Sequence, residues 1–162
     1  MNEIFERRSI RKFQDRSVAP EQIERLLRAA MAAPTARDAR EWDFVVVTDR
    51  ALIARLAQVH PYTGCAAQAP VVFVPVAARE SEFWQQDLGA SVQNLLLEAR
   101  HLGLGGVWMG IAPMAERMAA VAAILGLPEG VRPFCILPVG WPAEEKPPRG
   151  LWEPEKVHYN GW

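Results

Sequence analysis

The 162-residue sequence lacks most of the features that mark membrane, secreted or metal-binding proteins. No apolar run approaches the roughly 20 residues that span a bilayer, and the charged start MNEIFERRSI differs from a secretory signal peptide. The two cysteines, Cys65 and Cys135, lie far apart, which argues against a disulfide framework or a structural zinc, and we expect both to be buried small hydrophobes. The three histidines show no metal-ligand spacing, so we expect no metal site. Together these absences predict a cytoplasmic protein.

Three common catalytic motifs are also missing. There is no G-x-x-x-x-G-K-[ST] segment, which excludes a P-loop. Gly103, Gly105 and Gly106 imitate a dinucleotide-binding fingerprint, but Trp108 occupies the position of its third glycine. No G-x-S-x-G elbow is present, which argues against a serine hydrolase.

Lysine is scarce, with three residues against fifteen arginines, and the formal net charge is -1. This balance does not favour nucleic acid or an acidic membrane as a partner. Four cations nevertheless cluster in the segment RRSIRKF (residues 7–13), and Lys146 and Arg149 form a second basic pair. The cluster could be a solvated face or a nucleic-acid patch. The apolar Ile10 and Phe13 tie it to a core instead, and this favours a phosphate-binding site.

The hydrophobic pattern predicts alternating helices and strands. In chain order these are a helix from Pro20 to near Pro34, a strand over 44–48, a helix capped by Asp49, a strand over 71–76, a helix over 84–102 ended by Gly103, a strand over 105–109, a helix between Pro113 and Gly126, and a strand over 134–139. Pro75 suggests that its strand lies at an edge or ends irregularly. The alternation predicts a layered α/β or α+β sandwich.

The last segment, residues 140–162, has four prolines and three tryptophans but no helical or strand period. Such a segment cannot build its own core, whereas Trp141, Trp152, Tyr159 and Trp162 favour burial. We therefore expect an extended arm that lies across a second subunit, with an arm wrapped on its own domain as the alternative. A homodimer is the resulting hypothesis.

Five segments, in order along nearly the whole chain, resemble the FMN-dependent nitroreductase family. They are RRSIRKF (7–13), PTARDAREW (34–42), DLGASVQNLLL (87–97), GLG with WMG (103–105 and 108–110), and ILPVGWP (136–142). The resemblance implies one α+β domain over residues 1–162, a three-layer sandwich whose central, mostly antiparallel sheet is flanked by helices. It also implies a homodimer with active sites at the subunit interface and a domain-swapped arm over 140–162.

The resemblance implies that FMN is the cofactor. Within one chain the implied cofactor-binding residues are Arg7, Arg8, Ser9, Arg11, Trp108, Met109, Gly110, Lys146 and Arg149. The residues at positions 7–9 would grip the phosphate and ribityl chain, and the two basic residues of the tail would complete the phosphate site. Arg11 would reach the pyrimidine edge, where a guanidinium stabilises the negative charge of the reduced flavin and raises its potential. The Gly110 N–H would be a donor to the flavin N5.

The partner subunit would contribute Pro34, Thr35, Ala36 and Asp38, which cover the edge of the flavin. Asp38 stands where the family usually has Asn, so the amide donor is lost. Three further residues, Arg40, Phe83 and Trp84, are the candidate substrate contacts. Arg40 could instead pair with Asp38, and both aromatic residues could serve dimer packing.

The resemblance implies an oxidoreductase that takes hydride from NADH or NADPH and reduces nitroaromatics, quinones or related small electrophiles by a ping-pong mechanism. No catalytic side chain needs to be named, because the flavin performs the redox chemistry. Two alternatives remain open: another reaction on the same fold, such as dehalogenation, ene reduction or flavin fragmentation, and a non-catalytic module that binds FMN or another phospholigand.

Overall fold

An antiparallel sheet forms the centre of the computed structural model, which describes residues 2–78 and 82–162. Its strands are β1 (Trp42–Val47), β2 (Val71–Ala77), β3 (Gly105–Gly106), β4 (Met109–Gly110), β5 (Arg132–Pro133) and β6 (Cys135–Gly140). The helices are α1 (Glu3–Glu6), α2 (Pro20–Met31), α3 (Arg50–Leu56), α4 (Trp84–His101) and α5 (Ala115–Leu125). Short 3₁₀ turns cover Ala36–Asp38, Gly64–Gln68 and Pro154–Lys156. The main strand order is β1-β2-β6-β3, while β4 also pairs with β6 and β5 with β2.

The central strand β2 is buried on both faces of the sheet. Phe73 belongs to a core that includes Leu26 of α2 and Leu95 of α4. Val74 points to the opposite core, which includes Ile53 of α3 and Val121 of α5. Since successive side chains of a strand alternate between faces, a run of apolar residues allows helices to pack on both sides. The structure thus confirms the predicted α+β sandwich with helices on both faces of an antiparallel sheet.

Asp49, Gly103 and Gly126, which the sequence predicts at helix ends, lie at helix ends in the structure. Asp49 Oδ1 accepts a hydrogen bond of 2.8 Å from the Leu52 N–H and so caps α3. Gly103 follows α4 with φ 74°, and Gly126 ends α5 with φ 63°, a left-handed conformation that glycine adopts without a steric cost. Local chemistry therefore determined where these helices begin and end.

Two strand predictions need correction. Strand β2 is not at an edge, because β1 flanks it on one side and β6 and β5 flank it on the other. Pro75 lies between the ladder to β6, which ends at Phe73, and the ladder to β5, which begins at Val76. Proline is tolerated at this interruption because no ladder bond to its missing N–H is needed there. The strand predicted over 105–109 is divided into β3 and β4, both of which pair with β6.

The helix α1 and the three 3₁₀ turns carry no periodic signal in the sequence, since elements of three to five residues are too short to show one. Two isolated bridges, Ser9 with Gly106 and Phe13 with Pro142, attach the amino-terminal segment to the sheet and to the start of the tail. They join residues distant in the sequence, so no local pattern could predict them.

The tail divides into two parts. Trp141 packs on its own chain: its Nε1 donates a 3.0 Å hydrogen bond to the Ser17 carbonyl, and the Arg16 guanidinium lies 3.6 Å from its ring centroid. From residue 147 onward every residue is exposed, including Trp152 at 73% and Tyr159 at 83%. Trp141 is therefore no part of an arm that needs a second surface. The aromatic residues beyond it do not wrap their own domain.

Within the described residues, no helix combines the length and the apolar character needed to cross a membrane.

Replacement of Gly106 by alanine should destabilise the fold. A Cβ there would lie 2.8 Å from the Pro138 carbonyl oxygen and 3.1 Å from Leu96 Cδ2, and a backbone oxygen cannot move aside without breaking strand pairing. We expect Gly106→Ala to lower the free energy of unfolding by about 1–3 kcal/mol in urea denaturation. Gly64→Ala, whose Cβ would meet nothing within 4 Å, is the matched control. Equal unfolding midpoints for the two variants would show that this close approach is unimportant.

Candidate functional site

The amino-terminal basic segment (residues 7–13) and the beginning of the tail together form a cleft of about 900 Å³. The Ile10 N–H donates to the Gly106 carbonyl at 3.0 Å, which fixes the segment beside β3. A Cβ on Gly105 would lie 2.5 Å from Ile10 Cγ1, so only glycine permits this approach. The cleft is lined by Arg7 and Arg8 from the segment and by Lys146 from the tail, together with Glu6, Glu144 and Glu145. The predicted residues Ser9 and Arg149 do not line it.

Arg7 is the most constrained cation of the cleft. Its Nε is buried and has no hydrogen-bond partner in the described chain. Burial lowers the pKa of the Arg7 guanidinium, and the positive charges of Arg149 and Arg8 lower it further. Three guanidinium groups are therefore brought together against their mutual repulsion, which an anion between them would relieve.

Glu144 joins the tail to the basic segment. Its Oε1 accepts hydrogen bonds from the Arg11 backbone N–H at 2.6 Å and from Lys146 Nζ at 2.9 Å. The bond from the Arg11 N–H lowers the pKa of the Glu144 carboxyl most, and the bond from Lys146 lowers this pKa further. Lys146 Nζ also donates to the Ser9 carbonyl at 2.7 Å. The tail is thus held so that its lysine faces the arginines, while Arg8 Nη1 donates to the Pro147 carbonyl.

A second cavity, of about 490 Å³, is linked to the first through Glu144, which lines the first and accepts from the backbone N–H of Arg11, a residue that lines the second. Four residues predicted to contact one ligand line it together: Arg11, Trp108, Met109 and Gly110. A Cβ on Gly110 would meet nothing within 4 Å, so the main chain of β4 borders open space. The Arg11 guanidinium has no hydrogen bond or ion pair within the described residues and is available to a ligand.

Among the residues lining this second cavity that sequence reasoning missed are His60, Cys65 and Arg117. No motif marks them, since they come from a loop, a 3₁₀ turn and the outer helix α5. Cys65 was expected to be a buried hydrophobe, yet it is half-exposed, with its Sγ 3.8 Å from Met109 Sδ. Partial burial raises the pKa of the Cys65 thiol. The expectation holds for Cys135, which lies in the core, where burial raises its pKa far above the usual range.

The loop with the predicted residues Pro34, Thr35, Ala36 and Asp38 lines neither cavity of its own chain. The Ala36 N–H donates to Asp87 Oδ1 at 3.1 Å, which ties the loop to α4. Arg37, Asp38 and Arg40 all have positive φ, between 49° and 57°, a conformation that costs non-glycine residues energy and often accompanies functional sites.

Arg40 pairs with Asp38 through a contact of 2.8 Å between Nε and Oδ1. Both side chains are exposed, so the pair contributes little stability. The structure therefore shows the pairing with Asp38 that was the alternative for Arg40, and in this chain Arg40 lines neither cavity.

Phe83 and Trp84 also lie outside the second cavity. Trp84 makes an edge contact with Phe134 at 5.9 Å, and Phe134 in turn lies 5.3 Å from Trp108. A row of aromatic rings therefore runs outward from the cavity wall to the beginning of α4. Trp42, by contrast, is part of the core.

Within the described residues no cluster of three or more His, Cys, Asp or Glu side chains could hold a metal ion. His101 is exposed and contacts Glu3 at 2.9 Å.

Comparisons with known proteins agree with this arrangement. The sequence profile described as Nitroreductase family matches residues 4–60 and 60–141. A Methanothermobacter thermautotrophicus protein, provisionally named NADH dehydrogenase/NAD(P)H nitroreductase, is 41% identical over 163 residues, which cover 98% of this chain and 85% of the relative. A Bacteroides thetaiotaomicron structure with the same provisional name has a TM-score of 0.96 at 38% identity, over 99% of this chain and 96% of its own. The structure of an FMN-dependent nitroreductase from Clostridium difficile has a TM-score of 0.95 at 28% identity and covers 99% of both chains.

The crowded cations of the first cleft predict stabilisation by inorganic phosphate. At ten times its dissociation constant, a ligand specific to the folded state contributes about 1.4 kcal/mol, which corresponds to a rise in Tm of roughly 3–6 °C for a chain of this size. We expect this rise for the wild type in a thermal shift assay and a much smaller one for Arg7→Gln.

Arg55→Gln, at an exposed site on α3, is the matched charge control and should keep the full response. Potassium chloride at equal ionic strength controls for general screening. An equal rise in wild type and Arg7→Gln would refute a phosphate site at Arg7.

Proposed function

Because the chain belongs to the nitroreductase family, we propose that it is an FMN-dependent oxidoreductase that uses NADH or NADPH to reduce small electrophilic acceptors such as nitroaromatics or quinones. For a nitro group the balanced reaction consumes one NAD(P)H and one proton and yields a nitroso group, NAD(P)⁺ and water. The observation that carries the proposal is the buried, unpartnered Nε of Arg7 among further cations. We also propose a cytoplasmic location, on the strength of the cysteine pattern.

The first cleft fits the phosphate of FMN. A phosphate monoester carries about -1.5 to -2 charges near neutral pH and offers three acceptor oxygens. Arg7, Arg8 and Lys146, which line the cleft, would supply the donors and the neutralising charge, together with Arg149, whose charge acts on Arg7. Ser9, whose carbonyl accepts from Lys146, would hold the adjoining ribityl chain. The cost of bringing these cations together in the free protein is then offset when the phosphate binds.

The second cavity fits the ring system of the same ligand, because it is linked to the phosphate cleft through Glu144 and has an open backbone edge at Gly110. Arg11, Trp108, Met109 and Gly110 would line the ring. When bound, FMN supplies the capacity to accept a hydride and pass two electrons to an acceptor. The Arg11 guanidinium, which has no partner in the described chain, would stabilise negative charge near it, and the apolar walls exclude water.

The remaining predicted contacts point to a second subunit. Pro34, Thr35, Ala36 and Asp38 lie on a loop away from both cavities of their own chain, and the tail exposes several large aromatic residues. We propose that the chain is a single domain over residues 1–162 that forms a homodimer. In it, the loop of one protomer covers the cavity of the other, and the arm packs on the partner. Arg40, Phe83 and Trp84 of one protomer would contact only the acceptor that is bound in the cavity of the other protomer.

Reconstitution with FMN tests the proposed function. We expect purified protein to bind FMN stoichiometrically and riboflavin at least about tenfold more weakly, because the loss of a charge-assisted phosphate contact costs roughly 1.5–3 kcal/mol. Under anaerobic conditions the holoprotein should oxidise one NADH or NADPH per bound FMN without an acceptor, and it should turn over repeatedly only when a nitroaromatic or a quinone is present.

Arg7→Gln should lose the discrimination between FMN and riboflavin, whereas Arg55→Gln should keep it. A protein that remains colourless after FMN addition would overturn every flavin-based version of the proposal. FMN binding without NAD(P)H oxidation would identify a non-catalytic flavin-binding module.

Light scattering tests the homodimer. We expect the mass of two chains for the wild type, about twice 18.1 kDa, because exposed aromatic area of this size is normally covered. Removal of residues 147–162 should shift the mass toward a monomer and weaken FMN binding. A monomeric full-length protein that still binds FMN would contradict the shared site.

A further inference from the structure

The second cavity contains cationic and donor groups that the proposed function leaves unused. Arg117 and His60 line it with Arg11, and among the described residues no aspartate or glutamate does. A cavity with two guanidinium groups and no lining carboxylate has a positive potential, which is strengthened by its partly apolar surroundings. If Arg11 serves the cofactor, Arg117 still lacks a counter-charge.

Arg117 lies beside the open backbone edge of the cavity. It projects from α5, and its Nη1 donates a long hydrogen bond of 3.3 Å to the Gly110 carbonyl. This bond holds the guanidinium close to β4, where the reacting part of the cofactor is proposed to lie. The other N–H groups of Arg117 have no hydrogen bond or ion pair within the described residues. A planar guanidinium with free donors is suited to bind a carboxylate in two-point fashion.

His60 adds a neutral donor. Its Nδ1 accepts a hydrogen bond of 3.1 Å from the Tyr62 backbone N–H, which places the ring hydrogen on Nε2. The Nε2 is buried and has no partner in the described chain. Burial lowers the pKa of His60, and the charge of Arg117 lowers it further, so the ring is neutral at pH 7. A buried N–H without an acceptor is costly and favours a ligand that brings one.

The remaining walls are apolar or aromatic. Trp108 exposes 39% of its surface, and Met109, Met114 and Tyr62 complete the lining. Sulfur and aromatic side chains contact flat, polarisable ligands well. The cavity therefore combines a surface for a planar ring with a positive end that contains an additional donor.

We propose that Arg117 and His60 form an anion subsite that selects acceptors in which an aromatic or otherwise planar electrophile carries a carboxylate. This inference rests on the proposed function, since it names the class of acceptor for the same site. Arg117 binds the carboxylate, His60 donates from Nε2, and the electrophilic group then lies toward Gly110. Neither residue transfers a proton or an electron; both determine specificity.

A matched pair of acceptors tests the subsite. With holoprotein and saturating NAD(P)H, kcat/KM for 4-nitrobenzoate should exceed that for the neutral 4-nitrobenzamide by about tenfold or more, as one charge-assisted bidentate contact provides. Arg117→Gln should reduce this ratio to about one, mainly through a higher KM for 4-nitrobenzoate, and Arg117→Lys should keep part of it. Arg55→Gln should leave the ratio unchanged.

A binding measurement without turnover separates this inference from the proposed function. Fluorine NMR should show tighter binding of 4-fluorobenzoate than of 4-fluorobenzamide to wild-type holoprotein without reductant, and the difference should vanish in Arg117→Gln and shrink in His60→Ala. Equal binding in the wild type would overturn the subsite, even if both nitro compounds are reduced. If Arg117→Gln changes the KM for NADPH but leaves the ratio of kcat/KM between the two acceptors unchanged, then the subsite binds the reductant and the inference is overturned. Preferential benzoate binding in a protein that reduces neither nitroaromatics nor quinones would support the subsite and refute the proposed activity.

Discussion

The pairing of the amino-terminal backbone with strand β3 and the tail is the interaction on which the candidate site depends. The Ile10 N–H bonds to Gly106, the Arg11 N–H bonds to Glu144, and the Ser9 carbonyl accepts from Lys146. These bonds fix the backbone, so the arginine side chains lie close together although their positive charges repel one another. The crowded arginines are therefore imposed by the fold. Such a concentration of positive charge supports the proposed binding of an anion.

The sheet makes this pairing possible because it is buried on both faces. Phe73 packs in one core and Val74 in the other, so β2 is held between the two helix layers. Strand β6 pairs with β2, and β3 pairs with β6. Glycine at 105 and 106 lets the basic segment and β6 approach β3 closely. The cavity wall at Gly110 is held by the pairing of β4 with β6, as preorganised binding requires.

Two other regions, the loop over 36–40 and the tail beyond residue 147, contain strained or exposed residues. The loop over 36–40 has three non-glycine residues with positive φ, and it lines neither cavity of its own chain. The tail beyond residue 147 exposes aromatic rings. Strained backbone and uncovered apolar area are both stabilised by a partner surface. One chain therefore holds the cationic half of the site, and the proposed second chain would supply its cover.

The sequence by itself determined the elements that depend on neighbouring residues. The stripe of α4, the Asp49 cap and the glycine that ends α5 could be predicted, because a helix is specified within a few turns. The basic segment indicated a phosphate site, and ordered motifs indicated the family. Only the tertiary structure placed Lys146 against Ser9, 137 positions away, put β2 at the centre of the sheet despite Pro75, and brought His60 and Arg117 into one cavity with Arg11. These relations follow from strand register and helix packing, which join residues whose local sequences carry no information about each other.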